Sequence, residues 1–172
     1  MPAKAVMEGD VVVVEGEEAV ELFNSGWFGN LEDKKIVLSL IEAFFLLERG
    51  RIEIFDGKKW LSIKEFQALC NSKQNDFMFR YAVYRDIRER GLVARIGFSG
   101  TDFRVYERGA KPSKAETKIK WVVFCSGEEY DCELERLGNA IRLSHNIRCT
   151  ALWAVVDSDL DVTYYIINEI TP

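Results

Sequence analysis

GLVARIGFSGTDFRVYERG, residues 91–109, decides the fold class. Gly91 closes a charged helical stretch, and residues 92–98 are short and apolar enough for a strand. Ser99-Gly100-Thr101-Asp102 is turn chemistry, with Gly100 free to take a positive φ. Phe103, Arg104, Val105 and Tyr106 alternate with period two, which predicts a second strand with one buried face and polar tips on the other. Arg108-Gly109 then opens a loop. A helix feeding a hairpin that carries a tyrosine and arginines is a natural place for a site, and by physics alone also an ordinary packing unit.

Downstream of the hairpin, residues 118–125 read as a strand centred on Trp121-Val122-Val123-Phe124. Residues 128–145 are amphipathic, with Leu134, Leu137, Ile141 and His145 near one face. Residues 150–156 are almost continuously apolar, which predicts a central strand buried on both faces. Asp157-Ser158-Asp159-Leu160-Asp161 is an acidic turn before a last strand over 162–170. Upstream, residues 10–14 predict a strand and residues 17–23 a helix. Asp33 is a fitting cap for a helix over 34–49 that stops at Gly50. Residues 51–55 alternate as a strand, and Asp56-Gly57 is a hairpin signal. Ser62 and Glu65 form a capping box for a helix over 63–70, and a further helix runs from 75 or 76 to 90. The order predicts an α/β (α+β) chain of two parts. These are a small α/β N-terminal domain, residues 1–88, and a compact C-terminal α/β domain with a mixed central sheet, residues 89–172.

The chain has 172 residues, 48% hydrophobic and 30% charged, the balance of a folded soluble protein rather than a disordered one. Its apolar runs fall short of the roughly 18 residues of a membrane span. The first residues lack the pattern of an export signal, which predicts a cytoplasmic protein with no membrane partner. Cys70, Cys125, Cys132 and Cys149 lack CxxC spacing and read as free thiols. A net charge of −5 excludes a surface coated in phosphate-binding charge, but leaves room for a local basic face or for acidic patches that meet a basic partner.

Several motifs occur together: Arg88-x-Arg90-Gly91, Val93-x-Arg95-x-Gly97-Phe98, and Gly100-x-Asp102-Phe103-Arg104-Val105-Tyr106-x-Arg108-Gly109. Upstream stand Leu38-Ser39-Leu40-Ile41-Glu42-Ala43 and Leu46-Leu47-Glu48-Arg49-Gly50. Downstream stand Arg142-Leu143-Ser144-His145-Asn146-Ile147-Arg148, Ala154-Val155-Val156-Asp157 and Val162-Thr163-Tyr164-Tyr165. This set resembles the archaeal tRNA-intron (splicing) endonuclease family over nearly the whole chain beyond its first thirty or so residues.

The resemblance implies RNA cleavage by a tyrosine, a histidine and a lysine, with no cofactor and no metal. The tyrosine takes the proton of a ribose 2′-hydroxyl, the histidine protonates the leaving 5′ oxygen, and the lysine steadies charge on phosphorus. The products are a 2′,3′-cyclic phosphate and a 5′-hydroxyl, and the substrate is precursor tRNA with a bulge-helix-bulge shape. Tyr106 stands at the tyrosine position. The histidine is missing: Lys118 is the best placement for it, with Glu116 or Thr117 as alternatives. The lysine position falls on Cys149 or Thr150. His145, the chain's one histidine, sits on the apolar helix face and reads as packed rather than catalytic. A lone phenol ionises near pH 10 and an ammonium near pH 10.4, so neither replaces the missing imidazole at neutral pH.

The resemblance therefore points to the non-catalytic, structural subunit of the crenarchaeal-type heterotetramer, two catalytic and two structural chains. It places Asp157, Asp159 and Asp161 in a basic cleft of an opposing subunit, and Val162, Tyr164 and Ile166 in strand pairing with the catalytic paralogue. Arg142 stands where a base-clamping arginine would fall, and Arg104 and Arg108 are further candidate RNA contacts. Two alternatives stand beside it. One is an active endonuclease with a rearranged set around Tyr106, Lys118 and Cys149. The other is a homo-oligomeric RNA-binding relative.

Overall fold

The computed structural model describes residues 1–112 and 117–172. The chain divides into two units, Met1–Phe77 and Met78–Pro172. Both are α+β, each with one five-stranded mixed sheet.

In the first unit, β1 (Ala3–Glu8), β2 (Val11–Glu15), β3 (Asn30–Glu32), β4 (Lys35–Ser39) and β5 (Ile52–Phe55) lie in the order β3-β4-β2-β1-β5. Neighbours are antiparallel except β1 and β5. Helices α1 (Glu17–Gly26), α2 (Leu40–Glu48) and α3 (Ile63–Lys73) complete the unit. The helix expected over 34–49 is a strand followed by a helix. Ile36 and Leu38 are buried while Lys35, Val37 and Ser39 are only partly covered, the period of a strand. The cap is Ser39, not Asp33. The Ser39 hydroxyl accepts the Glu42 N–H, while the Glu42 carboxylate accepts the Ser39 N–H at 2.9 Å, a closed capping box. Glu42 is 3% exposed, and its other oxygen accepts the Gly29 N–H at 2.9 Å. A Cβ on Gly29 would meet the Val37 carbonyl at 2.4 Å, so only glycine fits there.

The second unit opens inside α4 (Phe77–Glu89), one residue after its start, and then runs β6 (Val93–Ile96), β7 (Phe103–Tyr106), β8 (Trp121–Gly127), α5 (Leu134–Asn146), β9 (Thr150–Val156) and β10 (Val162–Ile167). This is the β-β-β-α-β-β order read from the sequence. The sheet order is β10-β9-β8-β7-β6, antiparallel except for β8 against β9. The division falls at the start of α4 rather than near residue 88. The reason is that α4 packs on the second sheet: the Tyr84 ring lies 5.6 Å from Phe103, and the Tyr164 hydroxyl donates to Asp86 at 2.7 Å. The opposite sheet face carries Val122, Phe124, Ala151 and Trp153, which pack with Ala140 of α5. The hairpin turn takes positive φ at Gly100 and also at Ser99. No helix among the described residues is long and apolar enough to cross a membrane.

Candidate functional site

Parallel pairing of β8 with β9 sets Trp121 opposite Thr150. The Thr150 N–H donates to the Lys120 carbonyl at 3.3 Å, and the Lys120 N–H donates to the Val105 carbonyl at 2.8 Å. The residues just before both strands therefore meet beside the end of β7. They line a cavity of about 300 Å³ formed by Glu107, Lys118, Ile119, Lys120, Arg148, Cys149 and Thr150. Lys118 and Cys149, about thirty positions apart in the chain, thus share one cavity. Thr117 lies just outside it, with its hydroxyl donating to the Lys111 carbonyl at 2.7 Å. Glu116, the other alternative, lies outside the described residues.

The charged side chains lining the cavity are mainly cationic. Lys118, Lys120 and Arg148 outnumber Glu107, and Lys120 pairs with Glu107 at 3.1 Å while lying over the Trp121 ring. Burial pushes the Cys149 thiol up, against smaller downward pulls from the Val122 backbone and Lys118. A thiol pushed in that direction is further from the reactive thiolate form. Tyr106 ends β7, is 5% exposed, and is not among the residues lining the cavity. His145 is exposed rather than packed. The buried stripe of α5 runs through Ala140 and Ser144, about a quarter turn from His145.

The arginines divide by surroundings. The Arg108 guanidinium donates to the Arg90 carbonyl at 2.6 Å and so caps the end of α4. Arg142 is exposed on α5 and donates to the Asn139 side chain at 2.8 Å. Arg104 lies directly opposite Arg95, a like-charge pair that costs stability in a sheet. Arg104 also lies over the Phe98 ring at 5.8 Å, and its buried Nε has no hydrogen-bond partner among the described residues.

At the other end of the sheet, Asp157 organises its own turn. One carboxylate oxygen accepts the N–H groups of Asp159 and Asp161, both at 2.9 Å. The Asp159 and Asp161 side chains stand in solvent. Strand β10 is a sheet edge, with Tyr165 and Ile166 at 56% and 72% exposure. Val162, Tyr164 and Ile166 share the face toward α4. Of these, Tyr164 is tied to Asp86, and burial, then that bond, pushes its phenol far above the usual range. Ile166 and Tyr164 border an apolar cavity of about 340 Å³ with Ile87, Leu92, Trp121 and Leu152. Sequence reading missed Glu107, Lys120 and Arg148 as neighbours of Lys118; the antiparallel β7–β8 pairing brings in Glu107 and the parallel β8–β9 pairing brings in Arg148. Among the described residues, no group of three or more His, Cys, Asp or Glu could hold a metal ion.

Two family models match the chain. The tRNA intron endonuclease N-terminal domain matches residues 3–67, and the tRNA intron endonuclease catalytic C-terminal domain matches residues 77–164. This chain belongs to the tRNA intron endonuclease family. Membership assigns each unit to one of the family's two domains, and the catalytic-domain match spans every strand that borders the cavity around Lys118 and Cys149. A tRNA-splicing endonuclease of Thermococcus kodakarensis is 37% identical over 161 residues, covering 92% of this chain and 93% of that protein. One from Pyrococcus furiosus is also 37% identical, covering 92% and 91%. One from Methanosarcina mazei is 34% identical over 169 residues, covering 98% of this chain and 47% of that protein. The chain thus spans about half the length of that last relative.

Proposed function

We propose that this chain is the structural, non-catalytic subunit of a tRNA-splicing endonuclease that cuts precursor tRNA at bulge-helix-bulge junctions. One observation carries the reading. The two positions where the resemblance puts an acid and a charge stabiliser meet in one cavity, and that cavity holds Lys118, Cys149 and Thr150. It has no imidazole to protonate a leaving 5′ oxygen, and its thiol is pushed away from the thiolate form. Its lysines and Arg148 still suit an RNA backbone. In this account a paralogous catalytic subunit performs the cleavage that leaves a 2′,3′-cyclic phosphate and a 5′-hydroxyl. The present chain positions that partner through the loop around Asp159 and Asp161 and through the open edge of β10, in a heterotetramer with two of each.

A second reading is an active endonuclease using Tyr106, Lys118 and Cys149. It draws support from the convergence of Lys118 and Cys149 and from full-length relatives that are themselves named endonucleases. Tyr106→Phe separates the two. Assayed without the catalytic paralogue, the chain is expected to leave the RNA intact with or without the substitution. A general base contributes about 100-fold or more. A loss of that size on Tyr106→Phe, with the chain still folded, establishes the second reading instead.

A further inference from the structure

We infer that the β5 hairpin of the first unit is a stacking platform for an unpaired base of the RNA, with Trp60 as the platform and Lys58 and Lys64 flanking it. The inference rests on the RNA substrate of the reading above. The indole is 50% exposed, an unusual position for the largest apolar side chain on a rigid element. It packs against the Phe55 ring at 5.3 Å and 51°.

The tip is fixed before any ligand arrives. One Asp56 oxygen accepts the N–H groups of Lys58 and Lys59, both at 2.8 Å. The Asp56 N–H donates to the Lys59 carbonyl at 3.1 Å, and the Leu61 N–H donates to the Ile54 carbonyl at 2.8 Å. One oxygen of Asp56 is thereby committed to the turn. Lys59 pairs with Glu65, which also closes the capping box at Ser62. Lys58 and Lys64 are exposed.

Charge favours RNA over a protein occupant. Residues 56–65 carry three lysines and two acids; with Lys59 paired to Glu65 and Asp56 tied to the turn, Lys58 and Lys64 are the cations beside Trp60, inside a first unit where acids outnumber bases. A chain of net charge −5 can approach a polyanion only through such local patches. An exposed aromatic ring beside cationic side chains is the general device for single-stranded nucleic acid, because every base offers a π-face. A preformed turn adds no ordering cost on binding.

The test uses the full chain and a bulge-helix-bulge RNA with 5-iodouridine in the bulges, with binding measured over a salt series. Trp60→Ala is expected to weaken binding about tenfold. Trp60→Phe is expected to restore most of the loss, and photocrosslinks should map to Trp60. Lys58→Gln with Lys64→Gln should flatten the salt dependence by roughly 0.7 in log–log slope per lysine. Wild-type binding left unchanged by all of these substitutions overturns the platform while leaving RNA recognition intact. Unchanged RNA binding with a dissociated oligomer shows a protein contact there and overturns the inference. No RNA binding by the wild type at low salt, alone or with the catalytic paralogue, removes both the inference and the functional reading beneath it.

Discussion

Replacing Asp102 with alanine lowers the stability of the second unit by about 3 kcal/mol. Asp102 sits at the start of β7, where three elements meet. One oxygen accepts the Arg80 Nε–H at 2.9 Å from α4, and the other accepts the Cys125 N–H at 2.7 Å from β8. Arg136 of α5 stands 3.8 Å away. The pair is largely buried, with side-chain exposures of 15% for Asp102 and 18% for Arg80. Alanine removes the acceptor that the Arg80 guanidinium and the Cys125 amide share, and removing one partner of a buried pair costs more than the pair contributes. The residual exposure keeps the figure at the lower end of that range. An asparagine side chain at this position keeps an acceptor for the amide and loses only the charge, so Asp102→Asn should cost about half as much. Urea unfolding of the three proteins reads the difference. A change under about 1 kcal/mol for Asp102→Ala means the carboxylate does not hold the sheet to its helices.

On the proposed reading, neutralising Asp159 and Asp161 weakens assembly with the catalytic paralogue by about 100-fold, with no change in folding. The two carboxylates project from a turn whose geometry is supplied by Asp157, so their charge is available to a basic cleft. Asp157 must be left intact: its oxygen holds both neighbouring amides, and Asp157→Asn would confound charge with turn structure. Sedimentation of mixtures at two salt concentrations measures the effect. The wild-type affinity should fall steeply with salt and the double variant should be nearly flat. A change under about threefold reduces the loop to an ordinary β-turn.

The second unit was far more legible than the first. Its strands alternate or run apolar between clear turn signals, so residues 91–109 and the order that follows could be read directly. The first unit hid β4 inside an apolar run, where Ile36 and Leu38 fit a helix face as well as a strand face. The deciding mark was local, because Ser39 with Glu42 is the capping box of a shorter helix. β1 was missed because its inward residues, Ala3 and Ala5, give a weak hydrophobic alternation and pair in parallel with a distant strand. α5 begins at Leu134 rather than near residue 128, after the acidic stretch Glu128-Glu129-Tyr130-Asp131. His145 was misplaced for a related reason. The stripe Leu134-Leu137-Ile141-His145 is regular, yet Leu134 is 84% exposed and the buried line runs through Ala140 and Ser144.

The geometry of the candidate site could not be read from the sequence. Tyr106, Lys118 and Cys149 were named from the family resemblance. Their separation into a buried phenol and a cavity shared by Lys118 and Cys149 follows from strand register. Arg108 shows the same limit, since a basic residue beside a turn gives no sign that it caps the preceding helix.

The most direct measurement is cleavage of a bulge-helix-bulge RNA by this chain alone and in equimolar mixture with a paralogue that carries the histidine and lysine. The account predicts intact RNA with the chain alone and 2′,3′-cyclic phosphate and 5′-hydroxyl products in the mixture. Cleavage by this chain alone, at the rate of the mixture, contradicts it.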